Sequence, residues 1–176
     1  MMRLNLGCGE RPMPASDGWV NVDIHPAEGV DLVRNILEPL PYAPGSVDEI
    51  LLCHVIEHIH PDDWPGALVE WTALLKVGGK LVIECPDMLR VCEAFVHDTA
   101  GLRWSWWHKV IYGPDRREGQ PHLQGFTIPR LVGELRDAGY TVTRARSWGD
   151  NSDPDHPTRT ACEIPAYNLR VEAVKA

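Results

Sequence analysis

A doubly wound, mostly parallel α/β sheet of seven strands with an antiparallel last strand is the fold this 176-residue chain predicts. Three observations carry that expectation. Short apolar runs alternate with stretches of helical periodicity. The runs at 47–53 and 80–85 are nearly continuous in Val, Ile and Leu, as parallel strands covered on both faces must be. The first run, Leu4-Asn5-Leu6, meets Gly7-Cys8-Gly9, while the second, Trp19-Val20-Asn21-Val22, ends on Asp23. Glycine lets a chain turn sharply beneath a ligand, and an acid ending the neighbouring strand is placed to accept from two hydroxyls of a ribose. The length suits one domain, 1–176, with a real core.

Taken in order, the strands are expected at 3–6, 19–23, 30–33, 47–53 and 80–85. Between the fourth and fifth lies a helix at about 61–76, where Trp64, Ala67, Leu68, Trp71, Leu74 and Leu75 recur at helical spacing. Asp62 and Asp63 suit its positive N-terminal end, and Gly78-Gly79 is read as its stop. A second helix at about 128–138 is capped by Thr127, takes Pro129 in its first turn and ends at Gly139. Strands at 140–147 and 167–174 close the sheet, the last alternating Tyr167, Leu169, Val171 and Ala173 with polar neighbours as an antiparallel edge would. The stretch 149–165 joins them as a loop. Only about ten residues separate Gly9 from the second strand, so the first helix of such a fold must be reduced or missing.

The composition is that of a soluble protein, 44% hydrophobic and 24% charged. No apolar run approaches the ~20 residues that cross a bilayer. A strand beginning near residue 3 leaves no room for a targeting segment. A formal charge of −8 argues against a broad phosphate-binding face and so against nucleic acid as partner. Arg116-Arg117 is expected to be a solvated loop. Five cysteines (Cys8, Cys53, Cys85, Cys92, Cys162) include no C-x-x-C pair, and together these features predict a cytoplasmic protein.

The glycine turn is not a dinucleotide fingerprint, because the third glycine position of G-x-G-x-x-G is Pro12, and no triphosphate loop is present. A phosphate-free adenosyl cofactor fits better. Further along stand Asp31-Leu32-Val33-Arg34-Asn35-Ile36 and Ser46-Val47-Asp48-Glu49-Ile50-Leu51-Leu52-Cys53-His54-Val55-Ile56-Glu57-His58-Ile59. With Leu4–Gly9, Gly18–Ile24 and Leu74–Gly79, this order resembles the class I S-adenosylmethionine-dependent methyltransferases, in particular small bacterial and phage-type members of the type 11 kind. The resemblance covers most of 3–85 and resumes at Gly125–Tyr140. It implies a Rossmann-like fold, S-adenosyl-L-methionine as cofactor and methyl transfer as the reaction. By position, Leu6, Gly7, Cys8 and Gly9 would wrap the methionine and ribose. Asp23 would hold the ribose hydroxyls, with Ile24 on the adenine. Asn35 and Ile36 would lie near the adenine amino group, and His54 and Val55 on the methionine side. Two positions depart from the pattern: Asn5 stands where relatives have an acid, and Arg11 where they have a third glycine. A cofactor-binding domain without catalytic activity is the reading those departures suggest.

His54-Val55-Ile56-Glu57-His58 also spells H-x-x-E-H, a zinc-hydrolase signature. That motif needs both histidines on one sustained helix, with Glu57 as base and a third ligand such as Glu84 or Asp87. Here His54 directly follows a buried strand and Pro61 interrupts soon after, so the methyltransferase reading, without metal, is preferred. Acceptor residues are expected in a lid segment at about 86–126, containing Arg103-Trp104-Ser105-Trp106-Trp107-His108. The tryptophans suit either a stacking wall or a lid helix buried against the sheet edge. His122 is the candidate general base and Asp87 the next. Glu84-Cys85-Pro86-Asp87 lacks the Asn/Asp-Pro-Pro-aromatic run of amino-group DNA methyltransferases, which with the negative charge counts against DNA; the acceptor expected is a small molecule, such as a glycan or metabolite hydroxyl or amine.

Overall fold

The computed structural model describes residues 1–98, 104–113, 121–148 and 168–176, with the side chains of 104–106 and 148 left aside. Seven strands, β1 (Arg3–Leu6), β2 (Trp19–Asp23), β3 (Leu32–Val33), β4 (Val47–Cys53), β5 (Leu75–Pro86), β6 (Tyr140–Trp148) and β7 (Asn168–Lys175), form one sheet in the order β3-β2-β1-β4-β5-β7-β6. All pairings from β3 to β5 are parallel, and β7 runs antiparallel to both its neighbours. The registers Leu6↔Val22 and Leu6↔Leu52 bring the ends of β1, β2 and β4 level, so the residues that follow them share one rim.

One face of the sheet holds the core. Leu4, Leu6, Val22, Ile50, Leu52, Leu81, Ile83 and Val171 meet the buried sides of α1 (Trp64–Leu74) and α4 (Ile128–Asp137) there. Trp64 and Trp71 cross edge to face, and Trp64 meets Phe126 in the same way. The indole N–H of Trp64 donates to Glu134 (2.8 Å) and that of Trp71 to the Ile36 carbonyl (3.2 Å), so both rings are buried without a stranded donor. Thr127 caps α4 by accepting from the Arg130 amide.

The opposite face is dressed differently. Among the described residues it carries no helix over β1, β2 or β4, only a three-residue 3₁₀ turn at Ala15–Asp17 and the extended segment before it. A small apolar cluster of Trp19, Leu51 and Val82 with Met13 and Cys53 lies there. Ion pairs surround it: Arg3–Glu49 (3.3 Å), Lys80–Glu172 (3.0 Å) and Arg170–Glu172 (3.1 Å). The long stems of these side chains cover the apolar patch that helices cover in a fully doubly wound sheet. The first helix is missing, as its ten-residue space requires.

Three boundaries differ from expectation. The third strand is Leu32–Val33, not 30–33: the Asp31 amide still donates to the Asn21 carbonyl (2.9 Å), but the Asn21 amide donates to the Asp31 carboxylate (2.7 Å) rather than to a backbone carbonyl. The helix expected at 61–76 is Trp64–Leu74, its first amides taken by the His60 carbonyl and Asp63 carbonyl. Strand β5 starts at Leu75, not at residue 80, and pairs with Val47 before a register shift. Gly78, at φ +77°, turns the chain inside that irregular strand and does not terminate the helix. The loop 149–165, Arg116-Arg117 and the side chains of Trp104 and Trp106 lie outside the described residues.

Candidate active site

The rim above β1, β2 and β4 is built from backbone. Gly7 and Gly9 both adopt positive φ (+70° and +53°), a region that costs other residues about 1–2 kcal/mol. A Cβ on Gly7 would meet the Val55 methyl at 2.5 Å, whereas one on Gly9 would meet nothing within 4 Å. The loop thus closes against Val55 on one side and leaves open space at the other. Asp23, at the end of β2, fixes this loop by accepting from the Gly9 amide (2.7 Å) with one oxygen and from the His25 amide (2.9 Å) with the other. Each oxygen keeps a second lone pair, so a diol could still be held by the same carboxylate. The amides of Gly7 and Cys8 donate to the Val22 carbonyl (2.8 and 3.1 Å), so the loop offers a wall free of side chains rather than free donors. With the open space at Gly9 and the fixed acid, it fits the ribose and methionine portions of an adenosyl cofactor.

Several expected contacts are changed by the packing. Leu6 is wholly buried in the core, so only its backbone faces the rim. Ile36 packs against the main core, and Val55 is buried beneath Gly7. Asn35 turns its side-chain oxygen onto the Leu37 amide (3.0 Å), forming a local turn. Ile24 is half-buried beside Asp23. Burial, assisted by Asp23, pushes the Cys8 thiol up to about 11, which leaves it protonated and unreactive. Burial also pushes the thiols of Cys53 and Cys85 well up.

His54 follows β4 in the left-handed region (φ 56°), with its amide on the Glu84 carbonyl (2.8 Å). Its Nδ1 lies 3.2 Å from Glu57 Oε1. Burial alone would lower the imidazole and raise the carboxyl, but the bond between them outweighs both, holding His54 above and Glu57 below their ordinary values. The pair fixes one edge of the His54 ring on Glu57. Residues 56–58 form a 3₁₀ turn rather than a helix, so His54 and His58 do not share the helical face that the hydrolase reading requires.

Instead, His58 meets His122. Their rings lie edge to face, 4.8 Å between centroids, over the buried Glu57. The segment carrying His122 is stitched to the turn: the Leu123 amide donates to the Glu57 carbonyl (2.7 Å), and Gln124 donates to the Ile59 carbonyl (3.0 Å). Arg130 of α4 holds Gln124 (2.7 Å) and the Gly125 carbonyl (2.6 Å) from behind. Burial lowers the His122 imidazole below its ordinary value. Asp87 follows β5, accepts from the Ser147 hydroxyl (2.7 Å) and is buried, its Oδ1 accepting no hydrogen bond.

Two helices follow β5 in the segment expected to form a lid: α2 (Met88–His97) and α3 (Trp104–Tyr112). Trp107 is buried, donates to Asp98 (2.6 Å) and stands edge-on to Phe95. Of the three tryptophans it is a lid anchor, not a stacking wall. The constellation of Glu57, His58 and His122 was not foreseen as a unit, because His58 and His122 meet only through the lid.

Residues 15–83 match the family model of a methyltransferase domain. Solved structures share the fold. One is a S-adenosylmethionine-dependent methyltransferase from Archaeoglobus fulgidus, at TM-score 0.66 and 16% identity, covering 99% of this chain and 86% of that one. Another is 1,6-didemethyltoxoflavin-N1-methyltransferase from Burkholderia thailandensis, with bound 1,6-didemethyltoxoflavin and S-adenosylhomocysteine (0.64, 17%, covering 99% and 71%). A third is a possible histamine N-methyltransferase from Thermotoga maritima (0.63, 20%, covering 99% and 82%). No curated protein matches the sequence significantly. No helix among the described residues is long and apolar enough to cross a membrane.

Proposed function

We propose that this chain is a class I S-adenosylmethionine-dependent methyltransferase, with S-adenosylmethionine as its cofactor, and that the acceptor it presents to the cofactor is a small molecule. The observation that carries the proposal is the lid. Helix α2 leaves the carboxyl end of β5, α3 packs on α2 and takes the His122 amide on its Tyr112 carbonyl, and the segment 121–125 is bonded to the turn after β4, on a chain whose formal charge is −8. Such a roof suits a compact hydroxyl- or amine-bearing molecule better than a polyanionic duplex. The Burkholderia and Thermotoga proteins, whose names give small molecules, are of the same fold.

Bound S-adenosylmethionine supplies an electrophilic methyl group, so the protein has to position and deprotonate rather than activate. In this reading Gly7, Cys8 and Gly9 offer backbone to the cofactor. Asp23 holds the loop and the ribose together, while Ile24 and Asn35 border the adenine. Leu6, Ile36 and Val55 shape that wall from beneath, and His54 is kept off the methyl path by Glu57. His122 takes the acceptor's proton. Its Nδ1 sits 2.8 Å from the Val110 carbonyl, which can only accept, so Nδ1 carries the proton and Nε2 has the lone pair. Asp87, held by Ser147, is the second candidate.

Methyl-labelled S-adenosylmethionine incubated with the protein and size-fractionated cell extract tests the acceptor class. Label should enter the fraction below about the size of a short oligomer and should depend on the protein. Label confined to protein or nucleic acid would refute a small-molecule acceptor.

A further inference from the structure

We propose that Glu57, His58 and His122 form a binding site for one divalent transition-metal ion, with open coordination positions toward the acceptor. One ligand atom from each of the three residues lies within 4.8 Å of the other two. With metal–ligand bonds of roughly 2.0–2.2 Å, coordinated atoms are about 3–4 Å apart, so side-chain adjustments of up to about an ångström close the site.

Three features separate this group from a chance cluster. Both imidazoles are fixed in one tautomer: His58 Nδ1 lies 3.1 Å from the Pro121 carbonyl and His122 Nδ1 lies 2.8 Å from the Val110 carbonyl. Each Nδ1 must therefore donate, which leaves Nε2 of each ring as a lone-pair donor, the arrangement in which metal-bound histidines are held by an outer partner. Glu57 is 2% exposed, and its Oε2 accepts no hydrogen bond. A buried carboxylate oxygen without a partner carries a desolvation cost that a cation would offset. Its other oxygen is anchored by His54 at 3.2 Å, which orients Oε2. Finally, the ligands come from two segments sewn together by the Leu123 and Gln124 bonds to the turn, so the ion would clamp lid to sheet.

A second group, Cys53, His54 and Glu84, is as close together, but Glu84 is already engaged by Arg170 at 3.5 Å and by the Cys53 thiol at 3.7 Å. Two imidazoles and one carboxylate favour zinc, iron, cobalt or nickel over magnesium or calcium. Three protein ligands leave at least one position for an oxygen or nitrogen of the acceptor. This use of the ion rests on the transferase reading above. It alters one part of that reading, since a His122 lone pair given to a metal is no longer a base. The site itself depends only on the three residues.

The test is titration of the chelator-treated protein with cobalt(II) or zinc(II) alone. One ion per chain is expected, with cobalt giving the visible absorption of a site of low coordination number. His58→Gln, His122→Gln and Glu57→Gln should each weaken binding at least tenfold, while His54→Gln, which removes only an outer partner, should weaken it less. Circular dichroism and thermal unfolding confirm that each variant folds. Should any fail, the native protein protected by zinc from modification of His58 and His122 by diethyl pyrocarbonate gives the same answer. Absence of stoichiometric binding, or binding indifferent to all three substitutions, overturns the site. Calorimetry with S-adenosylhomocysteine on the metal-free protein reports on the transferase reading separately, so the two can fail independently.

Discussion

Gly7→Ala is the sharpest perturbation of the cofactor rim, because its cost divides into two parts that the structure separates. The first is conformational: at φ +70° a side chain costs about 1–2 kcal/mol. The second is steric, since the new methyl would sit 2.5 Å from one Val55 methyl and 3.1 Å from the other. Val55 is 7% exposed and β-branched, so it has neither room nor rotamer freedom to retreat. Overpacking of this kind costs about 1–3 kcal/mol, giving roughly 2–5 kcal/mol in all. For a domain of this size each kcal/mol lowers Tm by about 2–4 °C, so a fall of roughly 4–20 °C is expected. Gly9→Ala is the internal control. It bears a similar backbone cost at φ +53° but meets nothing within 4 Å, so it should lose only about 1–2 kcal/mol. Urea unfolding of both variants, of Val55→Ala and of the Gly7/Val55 double variant completes a cycle. The double variant should recover about 1–3 kcal/mol relative to additivity. Calorimetry with S-adenosylhomocysteine adds the functional readout, in which Gly9→Ala should be weak despite its stability, because its methyl occupies the open side of the loop. A Gly7→Ala protein no less stable than Gly9→Ala, or a cycle that closes additively, would refute the clash with Val55.

Asp23→Ala should weaken S-adenosylhomocysteine binding by about 1–3 kcal/mol, since it removes a charge-assisted acceptor and frees the Gly9 amide it holds at 2.7 Å. Unchanged affinity by calorimetry would remove Asp23 from the site. On the opposite face, partial burial alone would raise the Glu172 carboxyl, but bonds from Lys80 and Arg170 outweigh it and hold the group below its ordinary value. A depressed folded-state value contributes stability above the ordinary carboxylate range, and that contribution is lost as pH falls through the depressed value. Glu172→Gln should therefore be less stable than the parent at neutral pH and converge with it in acid, as followed by urea unfolding across pH; a difference that persists undiminished in acid would contradict the assignment.

The parallel half of the sheet was legible because its strands obey one rule. In β1, β2 and β4 the residues facing the helices are all apolar, so the boundaries 3–6, 19–23 and 47–53 match the structure. Gly78 misled because a glycine pair after a helical pattern reads as a C-cap, whereas here the strand has already begun at Leu75. The missing first helix was legible in the ten-residue gap after Gly9, but what covers the outer face of β1, β2 and β4 in its place was not. Apolar continuity in Ile50-Leu51-Leu52 signals burial on both faces but cannot say whether helices or charged stems supply it, and Leu51 is covered by the latter kind of surface. At the site, the local signature paired His54 with His58. The fold pairs His58 with His122, a partner that no local spacing reveals.

The two departures, Asn5 and Arg11, prove to be parts of one device. Asn21 fixes the orientation of its own amide, since it accepts from the Met13 amide (2.7 Å) and donates to the Met13 carbonyl (2.9 Å). Its oxygen therefore faces Asn5, whose Nδ2 donates to it at 3.0 Å and to the Arg11 carbonyl at 3.3 Å. Asp31 completes the chain by accepting from Asn21 Nδ2 at 3.1 Å. All the groups around Asn5 Nδ2 are acceptors, so an acid at position 5 would confront oxygen with oxygen in a 3% exposed setting. An acid at position 5 is thus incompatible with this backbone route. In place of a helix after the glycine loop, the Asn21 side chain takes both the amide and the carbonyl of Met13, Asn5 donates to the Arg11 carbonyl, and the Arg11 amide donates to the Cys8 carbonyl (2.9 Å). The segment 11–13 passes over the polar face of β1 and β2 and fixes the loop from the side opposite Asp23. The Asn5–Asn21–Asp31 chain thus holds the segment 11–13 against β1 and β2 while Asp23 holds the Gly9 amide, so the neutral amide at position 5 and the backbone at Arg11 each have a structural role beside the glycine loop.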